Sequence, residues 1–193
     1  AEIESVALTV GALSLRRSGS LGGAVDIQTP QPDATESLRS ALSYGRYDQL
    51  HASLSLTGGS KRFPMWSSVS WMQSAPYRAP NDRRLTDFPD STAWPLDDYL
   101  PQYRSTDAYR ALHVAGKVAF VPQPDSSARL TASFRLREDA EVLYPGLRMD
   151  ADATRTREVG LRYTDPRSGL LIDAYHNWTD HDMRDTRRRS SRL

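Results

Sequence analysis

Residues 128–137 read ARLTASFRLR, and residues 170–183 read LLIDAYHNWTDHDM. In the first, Ala128, Leu130, Ala132, Phe134 and Leu136 alternate with Arg129, Thr131, Ser133, Arg135 and Arg137. In the second, Leu170, Ile172, Ala174 and Trp178 oppose Asp173, Tyr175, Asn177, Thr179 and His181. Side chains two apart point the same way on a strand, so each stretch has one apolar and one polar face. The same period of two runs through 38–44, 50–57, 108–121 and 158–164, and less cleanly through 62–73. No amphipathic helix of useful length interrupts it, so the chain is expected to be all-β.

The joints alternate in kind. TGGSK (57–61), VPQPDSS (121–127) and TDPRSG (164–169) are short and built of turn residues. Between them lie two longer polar links, 74–107 and 138–157. A meander with short turns at one end and long loops at the other follows. Two architectures satisfy it. A soluble β-sandwich binding module turns its apolar faces inward. An outer-membrane barrel turns them toward lipid, with a wet polar interior. Segments of roughly 10 residues, near the length of a tilted membrane strand, favour the barrel. So do Arg, Asp, Glu and Lys on the polar face, and the aromatics Tyr44, Tyr47, Trp66, Trp71, Tyr144, Tyr163 and Trp178 near segment ends.

Composition narrows the function. The 193 residues carry 25 Lys+Arg against 24 Asp+Glu, a net charge of +1, which gives no electrostatic case for a nucleic-acid partner. The absence of Cys excludes thiolate zinc sites, disulfides and Cys nucleophiles. No nucleophile elbow or HExxH motif occurs, so no enzyme is expected. Asp150-x-Asp152-x-Thr154 fails as a calcium loop, because Arg155 stands where glycine is needed and Leu161 where a bidentate Glu belongs. His51 and His113 fall on polar faces and are expected to be solvated. The five arginines of 184–192 read as a solvated loop.

Residues 2–29, EIESVALTVGALSLRRSGSLGGAVDIQT, resemble the closing part of the plug domain of TonB-dependent outer-membrane receptors. Ile3, Glu4 and Val6 match its first strand, Gly11 its turn glycine, and Gly22, Gly23, Val25 and Ile27 its closing strand. Ala12 stands where that family has Pro, and Asp26 where Asn is usual. The resemblance implies residues 1–33 as the C-terminal part of a plug. Residues 34–193 would be about six N-terminal strands of an incomplete transmembrane antiparallel β-barrel in the outer membrane. Gly11, Gly22 and Gly23 would serve bends and close plug-to-wall packing. The implied partners are outer-membrane lipid, a metal or small-molecule ligand and, for the whole receptor, the TonB complex. The family's TonB-contacting segment is not among these residues, so the chain itself is expected to be transport-incompetent.

A finer resemblance is to the copper-receptor group of that family. Tyr144, Pro145, Gly146, Met149 and Asp150 match one of its stretches, and Tyr175, Asn177, His181 and Met183 another. His181 and Met183 are two apart and share the polar face, and an imidazole with a thioether is a soft pair suited to Cu(I). The group implies a Cys and a Met on the plug as partner ligands; without any Cys, the site here would be half present. Copper, or another metal or chelate such as a siderophore, is therefore expected as transported ligand, with no resident cofactor required. Tyr77, Trp94, Tyr99, Tyr103, Arg104, Met149 and Asp150 are expected to contact ligand from the outer loops.

Overall fold

The computed structural model describes residues 3–10, 23–78, 99–103, 107–123, 126–144 and 149–188. Gly11, Gly22, Trp94 and Arg104 lie outside the described residues. Two strands, β1 (Ser5–Val10) and β2 (Gly23–Gln28), pair antiparallel from Ser5↔Gln28 to Val10↔Gly23. Seven more follow as one antiparallel sheet: β3 (Ser37–Gly45), β4 (Gln49–Gly59), β5 (Pro64–Ser74), β6 (Tyr109–Phe120), β7 (Arg129–Val142), β8 (Asp150–Asp165) and β9 (Leu170–Arg184). Each strand pairs with its sequence neighbours, and β3 and β9 are the edges of an unclosed sheet.

This is an all-β partial barrel, with seven strands rather than about six. The second correction concerns the link expected over 138–157. Strand β7 continues to Val142 and β8 starts at Asp150, so the connection is only 143–149. The sequence hid these strand tops because both faces turn polar there. Glu138 and Arg155 pair on one face at 3.1 Å, while Asp139 and Thr154 stand opposite each other on the other. An alternation signal needs one apolar face, whereas ladder hydrogen bonds do not.

Three connections, 60–63, 121–128 and 166–169, gather at one end of the sheet. The others, 46–48, 75–108 and 143–149, gather at the opposite end. The hairpin at 46–48 turns on Tyr47 (φ 61°) and Asp48 (φ 52°), positions that usually take Asn and Gly. Tyr44 Oη donates to Asp48 Oδ1 at 2.7 Å, and the Tyr47 carbonyl accepts from Ala75 N at 2.7 Å, which holds this uncommon geometry.

The two faces differ in what they meet. Residues 29–33 lie on the inner face, where Trp66 is 1% exposed. The outer face carries Leu38, Leu42, Leu54, Val69, Val118, Phe134, Val159, Leu161 and Ile172, all exposed; Leu54, Phe134 and Ile172 are 39%, 50% and 55% open. No second sheet covers them among the described residues. A sandwich would seal these side chains between its layers, so that architecture is overturned. Trp66 is also corrected: it faces inward, its Nε1 donating to Ser55 Oγ at 3.1 Å, and forms no part of an outer aromatic girdle.

Candidate functional site

The inner wall is written in cross-strand pairs. Thr131, Ser133, Arg135 and Arg137 on β7 face Arg162, Gly160, Glu158 and Thr156 on β8. These in turn face Asp173, Tyr175, Asn177 and Thr179 on β9. Arg135 pairs with Glu158 at 3.5 Å, and Arg162 with Asp173. A cavity of about 460 Å³ separates this wall from residues 27–31, bounded by Trp66, Lys117, Arg135, Glu158, Arg162 and Asp173. Opposite charges set across adjacent strands contribute roughly 0.2–1 kcal/mol each, so the pairs fix side-chain positions more than they hold the fold.

His181 and Met183 sit near the top of β9 on this same inner face. The β8 strand bulges between Ala151 and Ala153, but β9 keeps its alternation across the bulge, so the two side chains remain on one side. His181 Nδ1 lies 2.7 Å from Thr154 Oγ1. That contact leaves Nε2 as the nitrogen available to a metal, with the hydroxyl orienting the ring. Among the described residues no group of three His, Cys, Asp or Glu is placed to hold a metal ion.

Tyr99 and Asp150 are placed differently from what a ligand-contact role requires. Both are buried, at 2% and 0% exposure, together with Arg188 at 1%. Tyr99 Oη donates to Asp150 Oδ1 at 2.8 Å, and Arg188 Nη2 donates to Asp150 Oδ1 at 2.7 Å and to the Tyr99 oxygen at 2.6 Å. Arg188 Nε reaches Asp150 Oδ2 at 3.2 Å, and its guanidinium carbon stands 3.8 Å from the Tyr99 ring centroid. Tyr144 contributes its N–H to Asp150 Oδ1 at 2.8 Å and its carbonyl to Arg188 at 3.0 Å. Burial, and after it the Asp150 carboxylate, push the Tyr99 phenol well above its ordinary pKa. The backbone adds a bond from Leu100 N to the Arg187 carbonyl at 2.9 Å. Connection 75–108 thus leaves the top of β5, is tied beyond the end of β9, and returns to β6. This clasp joins residue 99 of that connection, residues 144 and 150 and residue 188 at the loop end of the sheet.

Of the other predicted loop residues, Tyr77, Tyr103 and Met149 are described, and they stand at separate places. Tyr77 is exposed and its ring meets Tyr47 at 5.1 Å between centroids. Tyr103 closes a single 3-10 turn, Pro101–Tyr103. Met149 is exposed beside the clasp, at the loop end of β8. Gly23 opens β2.

Sequence reasoning missed Arg188, which read as one of five arginines in a solvated tail. It also misplaced His113, which is largely buried on the inner face; its Nε2 lacks a hydrogen-bond partner and stands 3.6 Å from Asp139 Oδ1. Neither had a local signal. Each owes its burial to a partner distant in the chain: Asp150 lies 38 residues before Arg188, and Asp139 is brought beside His113 by the β6–β7 pairing.

Compared with solved structures, the chain matches the copper transporter OprC with a TM-score of 0.69 and 18% identity, over 94% of this chain and 26% of that one. The fold is TonB-dependent-receptor-like. The chain spans about a quarter of that transporter's length. No family model matches the sequence, and no curated protein does. On this fold the sheet carries charged pairs and the 27–31 segment on its inner face and exposed aliphatic and aromatic side chains on its outer face.

Proposed function

We propose that this chain forms the plug end and early barrel wall of a TonB-dependent outer-membrane receptor that takes up copper, or another metal or metal chelate. The observation that carries the reading is the pairing of an uncovered apolar outer face with a polar inner face lined by residues 27–33. In water such an apolar surface has no compensation, while in hydrocarbon it is the matching solvent. The strands of the seven-stranded sheet have 9 to 16 residues, which meets or exceeds the roughly 9–11 a tilted membrane strand requires. The excess on β7, β8 and β9 belongs to the loop end, which in this reading faces outside the cell.

Ligand would approach that end, which carries Tyr77, Tyr103 and Met149 in its connections and His181 and Met183 on β9. His181 Nε2 and the Met183 sulfur would offer copper two soft donors, with further donors from the plug. Opening of the path would depend on the TonB complex acting on the whole receptor. Titration of Cu(I) against the full-length receptor and a His181→Ala/Met183→Ala variant tests the ligand. Loss of affinity by 10-fold or more is expected; equal affinity removes copper and leaves the receptor reading to other ligands.

A further inference from the structure

Residues 29–33, TPQPD, open the link 29–36 that joins the β1–β2 pair to the seven-stranded sheet. Pro30 and Pro32 have no N–H, so this segment cannot add to the sheet as a strand, and its carbonyls are its main polar handles. The wall supplies the donors. Lys117 Nζ donates to the carbonyls of Thr29 at 2.8 Å and Pro30 at 3.0 Å. Arg129 Nη1 donates to the Pro32 carbonyl at 3.3 Å, and Asp33 bridges to Met65. Pro32 and Trp66 are fully buried, and Thr29 is 7% exposed. The Lys117 ammonium stands 5.6 Å from the Trp66 ring centroid.

Lys117 has no carboxylate within ion-pair distance among the described residues. The Glu4 carboxylate attracts it only from beyond ion-pair distance, and a half-buried ammonium whose direct hydrogen bonds go to two backbone carbonyls is committed to that backbone. The β1–β2 pair hydrogen-bonds within itself, its Val6, Leu8, Val25 and Ile27 are exposed, and among the described residues no hydrogen bond from it to the wall matches those of residues 29–33.

We propose that Lys117 is a positioning residue that makes residues 29–33 a fixed part of the barrel wall, so that any displacement of the β1–β2 pair ends at Gln28. Its consequence for uptake rests on the receptor reading; the anchor itself does not, and it is tested without ligand. In the intact, membrane-inserted protein, Lys117→Met should speed backbone deuterium exchange across residues 28–36 by 10-fold or more. Exchange in β6 should stay at the wild-type rate, which also shows that the variant is folded. Lys117→Arg, which can still donate to both carbonyls, should restore protection. Unchanged exchange in K117M, acceleration spread over β5, β6 and β7, or no rescue by K117R would each overturn the anchor. Copper titration of the same variants reads the receptor hypothesis separately.

Discussion

Arg188, Asp150 and Tyr99 show what a buried charge demands. Moving an ion pair from water into a protein carries a desolvation cost of several kcal/mol per ion, met only when every polar atom finds a partner. Here the carboxylate accepts from Arg188, Tyr99 and the Tyr144 N–H, and the guanidinium covers a ring face as well. Arg188→Met is therefore expected to destabilise the clasp by about 3–5 kcal/mol, because it leaves Asp150 charged and unpaired. Limited proteolysis should then cut within 75–108 much faster than in the wild type. An Arg188→Met/Asp150→Leu double variant should recover most of the loss, and a double variant as fragile as the single would refute the pair's role. At this scale the sequence was partly legible. Asp150 stood out as a residue of interest, but the arginine that engages it, 38 positions later, carried no mark distinguishing it from its neighbours at 187 and 189.

Among the strands, alternation was read correctly wherever one face is lined by apolar side chains. In β9 the even positions from Leu170 to Trp178 all lie outward, as the pattern of 170–183 requires. Where both faces turn polar the signal ends while the ladder goes on, which is why β8 begins at Asp150 and not near 158. The orientation predicts a contrast between two substitutions on one strand. Val159→Arg places a cation on the outer face, where it should cost about 2–4 kcal/mol near the bilayer midplane. Thr156→Arg, on the inner face of β8, should change stability little. Unfolding of the membrane-inserted protein in denaturant measures both, and equal effects would contradict a lipid-facing exterior. On β6 the outward Gly116 has a comparable local reason: a Cβ there would collide with the Phe134 ring across the strand pair, so a larger residue forces that ring to move.

For the whole chain, the open edges of β3 and β9 dominate. Each edge strand presents N–H and C=O groups to its surroundings, and in hydrocarbon an unsatisfied group costs several kcal/mol. Residues 1–193 produced alone are therefore expected to aggregate or to require detergent, without inserting as a monomer. Sedimentation in the absence of detergent checks this, and a monodisperse species with cooperative unfolding would contradict it.

The sequence by itself determined the all-β class, the meander and the side of each strand that is apolar, because a period of two is imposed residue by residue on any pleated strand. Tertiary structure decided the rest: that the apolar sides stay uncovered among the described residues, that Lys117 meets the carbonyls of Thr29 and Pro30, and that Tyr99, Asp150 and Arg188 close into one buried group. Those contacts join positions 38 to 89 residues apart. Their partners are chosen by sheet register and loop path, which no local pattern encodes.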